Sequence, residues 1–171
     1  MQPVTALADS AITGDKDVFL VDKQNNKIQI GNILFKQLGI ASRYVLHLDH
    51  AKFTDYFLSM KEMKCLEGPE LWCHIPYPYT QPKTVTPTDL RWLEHDLLFM
   101  FKKKEVFGAN FWNGIYYRMH IENGVIRGEA RAVDLNLLAS PPADLEQPPI
   151  GDSVLDEIDP DIRWLPGLEI R

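Results

Sequence analysis

The chain has little cysteine and no long apolar run. It contains two cysteines, Cys65 and Cys73, in 171 residues, too few for the disulfide framework of a small secreted domain. Its longest apolar runs, such as residues 97–101, fall far short of the roughly 20 residues that a membrane-spanning helix needs. The first residues also lack the basic and then apolar pattern of a secretory signal. We therefore expect a cytoplasmic protein with reduced thiols, a buried Cys73 and no membrane partner.

The sequence also lacks the short motifs of the common enzyme classes. It has no glycine-rich phosphate loop, no Gly-x-Ser-x-Gly turn and no zinc-protease helix motif. A pI near 5.3 disfavours a nucleic-acid partner, and the basic run at residues 102–104 is explained as the end of a helix. The sequence therefore assigns no catalytic residue, metal or cofactor, and leaves open whether the protein is an enzyme.

One short string resembles a metal-binding signature. His47, Asp49 and His50 resemble part of the metallo-β-lactamase-fold signature, in which alternate histidines precede an Asp-His pair. Val45 stands where that signature has its preceding ligand, and Asp49 is also placed to cap a helix. Because the number of ligands decides a zinc site, we predict no metal at this string.

What the chain does have is a strongly segregated charge. Residues 1–140 hold 16 basic and 16 acidic side chains, whereas residues 141–171 hold eight acidic and two basic ones and so carry the whole net charge of −6. Paired prolines at 141–142 and 148–149 interrupt regular structure in this last stretch. We predict a single α+β domain at residues 1–140 and a Pro-rich acidic C-terminal segment at residues 141–171.

The clearest β pattern lies at residues 115–133. Two alternating runs flank Asn123-Gly124, the dipeptide preferred in two-residue hairpin turns. Counting outward from this turn puts large residues opposite small ones on one face, as in a core face. The predicted core-face pairs are Ile121 with Ile126, Met119 with Gly128, Tyr117 with Ala130 and Ile115 with Ala132.

The remaining patterns predict a mixed fold. A hairpin is expected at residues 17–30, and strands at residues 43–48 and 71–75. Helical spacing predicts a short helix at residues 33–38 that ends at Gly39, and longer helices at residues 50–63 and 87–103. The predicted fold class is α+β: a mainly antiparallel sheet of five or six strands, with the two principal helices packed on one face.

The outward face of the 115–133 hairpin is the first candidate site. Its side chains could hold an anion or a partner protein, because guanidinium groups bind carboxylates and phosphates in two-point contacts. The alternative is an ordinary solvated sheet face in which Glu129 neutralises part of the charge. The predicted site residues are Arg118, His120, Arg127, Arg131 and Tyr116.

The acidic segment is the second candidate site. Acids at 152–161 alternate with apolar residues, which suits electrostatic steering followed by apolar contact. We predict that part of 153–168 docks, in cis on the Arg-rich face or in trans on a partner, unless Trp164 and Leu165 merely pack the chain end. The predicted docking residues are Asp156, Glu157, Asp159 and Trp164.

Three functional hypotheses follow from these two sites. The leading hypothesis is a non-enzymatic binding or adaptor protein whose partner is another protein or a small anionic ligand. The alternative is an enzyme on a small anionic substrate held by Arg118, Arg127 and Arg131, with His120 as proton carrier. A third takes the acidic segment as a competitor for a nucleic-acid site on another protein.

Overall fold

The computed structural model describes residues 10–58, 61–106 and 108–171. In these ranges the chain is mostly β structure, and its strands form one antiparallel sheet. The strands are β1 (Gly14–Val21), β2 (Lys27–Leu38), β3 (Ala41–Leu48), β4 (Thr54–Leu58), β5 (Lys61–Glu67), β6 (Leu71–Ile75), β7 (Thr84–Val85), β8 (Leu98–Lys102), β9 (Gly114–Glu122), β10 (Val125–Val133), β11 (Asp156–Glu157) and β12 (Gly167–Ile170). The strands are connected in part by the α-helix α1 (Arg91–Asp96) and by 3-10 turns at His50–Lys52, Phe111–Asn113, Leu135–Leu138 and Asp152–Val154.

The sheet is built from two meanders that β12 joins. The strand order is β4-β5-β6-β8-β9-β10-β12-β1-β2-β3-β7, and β11 pairs with β10 beside this path. The predicted segment 141–171 therefore supplies a strand to the middle of the sheet, between β10 and β1. The predicted division at residue 140, between a domain and a C-terminal segment, remains a prediction. The hydrogen-bonded sheet includes strands from both sides of this boundary.

The predicted α+β class with two principal helices is wrong. The longest helix among the described residues, α1, has six residues. In the described part of the predicted helix at residues 50–63, the structure has the 3-10 turn His50–Lys52 and the antiparallel strands β4 and β5, and residues 59–60 lie outside the described residues. Asp49 does act as a cap, since its carboxylate accepts a hydrogen bond from the N–H of Ala51 at 3.1 Å.

The predicted helix at residues 87–103 divides into α1 and β8. Leu98 and Met100 point into one apolar cluster of the protein, and Phe99 and Phe101 contact another. A strand buried on both faces reads as a continuous apolar run, which periodicity alone does not separate from a buried helix. The leucines that precede β8 have helical spacing, and the predicted helix was therefore continued into residues that form this strand.

The predicted short helix at residues 33–38 is the second half of β2. Ile33 and Phe35 are buried, while Leu34 and Leu38 are each 48% exposed, which is the alternation of a strand. Gly39 does adopt a positive φ of 67°. It does so in the tight turn that connects β2 with β3, where a residue without a Cβ is favoured, and does not end a helix.

The hairpin predictions are confirmed. β9 and β10 pair in the counted register, and Asn123 and Gly124 have φ values of 51° and 76°, as the predicted two-residue turn requires. The hairpin at residues 17–30 and the strands at 43–48 and 71–75 are also present. Short-range turn chemistry and alternation were enough to define these elements.

Two apolar clusters lie on opposite faces of the central strands. The larger cluster includes side chains from β3, such as Tyr44, and from β6, such as Trp72, so the sheet must curl around it. The smaller cluster is covered by Leu138 and Ile150. Tyr116 belongs to this second cluster and is 1% exposed. The prediction that its side chain is exposed on the outward face beside Arg118 is therefore wrong.

A disulfide joins Cys65 and Cys73, which contradicts the predicted reduced thiols. The two residues are directly opposite on β5 and β6, and both are fully buried, as predicted for Cys73. The pairing arises because residues 61–67 form β5, which runs antiparallel to β6 and places Cys65 beside Cys73. No helix in the described part of the chain is long and apolar enough to cross a membrane.

Ala130→Leu should destabilise the fold. Ala130 is 2% exposed and lies opposite Tyr117, so the larger side chain overpacks the core and should lower the free energy of unfolding by about 1–3 kcal/mol. Denaturant unfolding measures this value. Glu122→Leu, at an exposed position of the same hairpin, is the control and should change it by less than about 0.5 kcal/mol. Equal effects of both variants would contradict the burial of this face.

Removing the disulfide should destabilise the protein as well. The double variant Cys65→Ala and Cys73→Ala frees the unfolded chain from a cross-link, so the free energy of unfolding should fall by about 2–4 kcal/mol in denaturant. Thiol labelling of the unreduced, unfolded wild-type protein is the independent measurement. Two labelled cysteines without reductant would show that the thiols are free.

Candidate ligand-binding cleft

A cleft opens between the two ends of the curled sheet. Its volume is about 580 Å³, within the range of roughly 300–1,000 Å³ that small-molecule sites occupy. One wall comes from the second half of β3, and the other comes from β5 and from the end of β6. The apolar part of the lining consists of Val45, Leu46, Leu48, Phe53, Met63 and Ile75.

The cleft exists because β7 is too short to cover β3. β7 pairs only with Ser42 and Arg43, and Tyr44 donates its N–H to the carbonyl of Lys83 at 3.0 Å. From Val45 onward, no described strand pairs with this edge of β3. The apolar side chains of the curled sheet are therefore accessible at this point.

A buried carboxylate forms the polar end of the cleft. Asp96, the last residue of α1, is 7% exposed. Its Oδ2 accepts hydrogen bonds from the Tyr44 hydroxyl at 2.6 Å and from Lys83 Nζ at 2.8 Å. His74 Nε2 lies 3.0 Å from the backbone carbonyl oxygen of Asp96. Tyr44, His74 and Lys83 come from three separate segments of the chain, and all three contact Asp96.

Lys83 reaches this carboxylate from a strained backbone conformation. Its φ is 56°, in the left-handed region that costs a residue with a Cβ of order 1 kcal/mol. Gln81 Oε1 accepts the N–H of Lys83 at 2.8 Å, and the Lys83 carbonyl accepts the N–H of Tyr44, so the conformation is held from both sides. The ammonium group remains half exposed at the cleft.

Burial sets the protonation state of two groups at the polar end of the cleft. Burial, reinforced by the charge of Asp96, raises the pKa of the Tyr44 hydroxyl, so this hydroxyl stays protonated and acts as a donor. Burial lowers the pKa of His74, which keeps its imidazole neutral near pH 7. No group of three His, Cys, Asp or Glu residues that could hold a metal ion occurs in residues 10–58, 61–106 and 108–171.

The Arg-rich face predicted from the sequence is neutralised within the chain. Arg118 Nε lies 2.7 Å from Asp152 Oδ1, and Arg127 pairs with Glu169. Arg131 lies 3.1 Å from Glu129. His120, half exposed, lies 3.3 Å from Glu122 on the same strand. The face therefore presents few unpaired positive groups to an anion.

The predicted docking residues are distributed over two contacts of the chain with itself. Asp156 and Glu157 form the short strand β11 against β10, and both side chains are exposed. Asp159 accepts the N–H of Asp161 in a local turn. The Trp164 ring packs edge-on against Trp72, and the backbone N–H of Trp164 donates to a carboxylate oxygen of Glu70 at 2.9 Å. Binding of these residues to another protein remains a prediction.

Sequence patterns missed the residues that build the cleft. His95 and Asp96 lie within the segment predicted as a helix at residues 87–103, where no site was predicted, and they are 0% and 7% exposed. Tyr44, His74 and Lys83 were not assigned to any site. The positive φ and the Asp96 contacts arise from tertiary packing between distant strands, so no local pattern indicates them.

The chain was compared with protein families, curated proteins and solved structures. No protein-family model, curated protein or solved structure matches the chain.

His95 makes the fold sensitive to acid. Its Nδ1 lies 2.7 Å from the Arg91 carbonyl oxygen, and the N–H of Ile150 donates to its Nε2 at 3.1 Å, so Nε2 must be unprotonated. Burial lowers the pKa of His95 from 6.5 to about 4. Below pH 6.5 the unfolded chain binds a proton that the folded chain rejects, so stability falls as the pH drops towards 4.

We expect His95→Gln to remove this pH dependence. Between pH 7 and 5 the wild-type protein should lose about 2 kcal/mol of unfolding free energy through His95, and the variant should lose correspondingly less. Unfolding in denaturant at both pH values gives the two differences. His120→Gln is the control because His120 is half exposed, and it should keep the wild-type dependence. If the free energy of unfolding depends on pH in the same way in the wild type and in His95→Gln, then His95 is not the source of the acid sensitivity.

Proposed function

We propose that the protein binds an elongated, largely apolar ligand in the cleft between β3 and β5–β6, without changing it chemically. The observation that supports this most is the lining of the cleft: an apolar wall that ends at the Asp96 carboxylate with its two donors, Tyr44 and Lys83. Small-molecule sites combine this kind of apolar surface with a few convergent polar groups. The apolar wall would supply affinity, and the polar end would orient the ligand.

The strain at Lys83 also supports a binding role. A left-handed residue with a long side chain persists only where its surroundings hold it, and such residues concentrate at functional sites. Here the strain brings an ammonium group to the cleft, where a ligand with an acceptor group could contact it. If the role of Asp96 were only structural, its hydrogen bond from the Tyr44 hydroxyl would be enough, and the strained Lys83 would not be needed.

Binding in the cleft keeps the leading functional class predicted from the sequence but changes its location. An adaptor or anion site on the Arg-rich face would first have to break the ion pairs of Arg118, Arg127 and Arg131. An enzyme with His120 as proton carrier would need that side chain in a site that excludes water, yet it is half exposed. The geometry favours the cleft over both alternatives.

Two neighbouring residues on the same face of the β2–β3 pair allow a matched test. Val45 and Leu34 are direct cross-strand partners and are 50% and 48% exposed, but only Val45 lines the cleft. Wild-type protein should bind an anilinonaphthalene sulfonate dye saturably, as measured by its fluorescence. Val45→Asp should weaken this binding at least about fivefold, because it puts a charge on an apolar wall.

Leu34→Asp is the control and should change the dye affinity by less than about twofold, since it adds the same charge outside the cleft. Unfolding curves of both variants show whether each remains folded under the binding conditions. Absence of saturable dye binding to wild-type protein, or equal weakening by the two substitutions, would overturn the proposed site.

A further inference from the structure

We propose that the occupant of this cleft is an extended peptide segment, with apolar and acidic residues in alternation, which adds as a strand to the free edge of β3. This inference rests on the proposed function, because it requires the cleft to be the binding site. It adds the chemical class of the ligand and the atoms that recognise it. The occupant is a segment of another polypeptide in extended conformation.

The first argument is the unpaired edge. β7 accounts for Ser42 and Arg43, the carbonyl of Lys83 accepts the N–H of Tyr44, and no described strand lies beside Val45 to Leu48 on that side. An unpaired strand edge is a template for pairing with another chain. Peptide-binding proteins use such edges by adding the peptide as one more strand.

The direction of the backbone groups identifies which residues can pair. The Tyr44 N–H points away from β2, whereas the N–H of Asp49 donates to the Ile30 carbonyl and so points towards β2. Along an antiparallel strand these directions alternate from one residue to the next. The N–H and C=O groups of Leu46 and Leu48 therefore face the cleft, and those of Val45 and His47 bond to β2.

The edge and the apolar wall together decide between a peptide and a hydrocarbon-like ligand. A ligand with no hydrogen-bonding backbone that covered Leu46 and Leu48 would strip water from their N–H and C=O groups and leave them unpaired. Each unpaired buried group weakens binding, because it loses its hydrogen bonds to water without replacement. An extended peptide replaces that water with ladder hydrogen bonds and still places alternate side chains on the apolar wall.

Side-chain alternation fixes the pattern of the peptide. Leu46 and Leu48 pack against the main core, and Phe53 and Ile75 line the same cleft. Residues of an added strand that point inward would meet these side chains and are therefore apolar. The free stretch of β3 spans four residues, and at about 3.3 Å per residue it accommodates roughly 13 Å of extended chain.

Charge complementarity favours acids at the other peptide positions. Three lysines line the cleft, and only two carboxylates do. Lys83 shares Asp96 with Tyr44, and Lys64 pairs with the exposed Asp55, while Lys61 has no ion pair with any residue in the described ranges. An acidic peptide residue beside the apolar ones would pair with the Lys61 ammonium group.

The test uses two pools of capped hexapeptides with Val, Leu, Ile or Phe at alternate positions. One pool has Glu at the other positions, and the second has Lys. Members of the Glu pool should displace the anilinonaphthalene sulfonate dye and bind about tenfold more tightly than the Lys pool. Val45→Asp should weaken this binding, and Leu34→Asp, the matched control, should leave it unchanged. Lack of binding by every Glu-pool member would overturn the inference.

Two measurements identify strand addition in particular. In amide hydrogen exchange, the bound peptide should slow exchange at Leu46 and Leu48 at least about tenfold and leave Val45 and His47 unchanged. N-methylation of the peptide amides that face β3 should abolish binding, whereas N-methylation of the alternate amides should be tolerated. Binding without protection at Leu46 and Leu48 would overturn the inference.

The outcomes separate this inference from the proposed function. If the dye binds and distinguishes Val45→Asp from Leu34→Asp, but neither pool displaces it, the cleft remains a binding site and the peptide is wrong. If the dye does not bind saturably and no peptide binds, both proposals fail. Tighter binding of the Lys pool would refute the acidic pattern and with it the stated occupant.

Discussion

The backbone pairing of β12 is the constraint on which the rest of the structure depends. This strand lies between β10 and β1 and is hydrogen bonded to both, so it is the only connection between the two meanders in the strand order of the described residues. Leu168 and Ile170 fill the main core, and the Leu165 carbonyl accepts the hydroxyl of Tyr117 at 2.8 Å. The two cleft walls belong to different meanders, so β12 also sets their separation.

The charge segregation in the sequence is largely resolved inside the molecule. Glu169 of β12 is 4% exposed and contacts Arg127 and, at 2.7 Å, Lys27. Those cations help lower the pKa of its carboxyl, against the opposing effect of burial. A carboxylate buried at this depth requires paired cations, since an isolated charge would be strongly destabilising. The acidic segment thus matches cations of residues 1–140 where it is buried, while Asp156 and Glu157 stay in solvent.

Local chemistry predicted the hairpins, and tertiary context decided the other elements. Asn123-Gly124 and strict alternation fixed the β9–β10 register because two residues at a turn determine all pairs beyond it. The 97–101 run gave no such signal, since a strand buried on both faces loses the alternation that distinguishes it from a helix. The cleft was beyond sequence patterns for another reason. Tyr44, Lys83 and Asp96 meet only after the sheet curls, and their spacing carries no periodic relation.

The position of β12 also determines when the fold can be completed during synthesis. Val18 of β1 pairs with Ile170, about 150 residues later in the chain. Until β12 leaves the ribosome, β1 and β10 each present an open edge, and at roughly 5–20 residues per second this interval lasts on the order of ten seconds for β1 and a few seconds for β10. Pairing so distant in sequence also slows folding, because a long loop must close before any contact compensates for its entropy. The open edges of β1 and β10 are therefore where incorrect strand pairing of the nascent chain would begin.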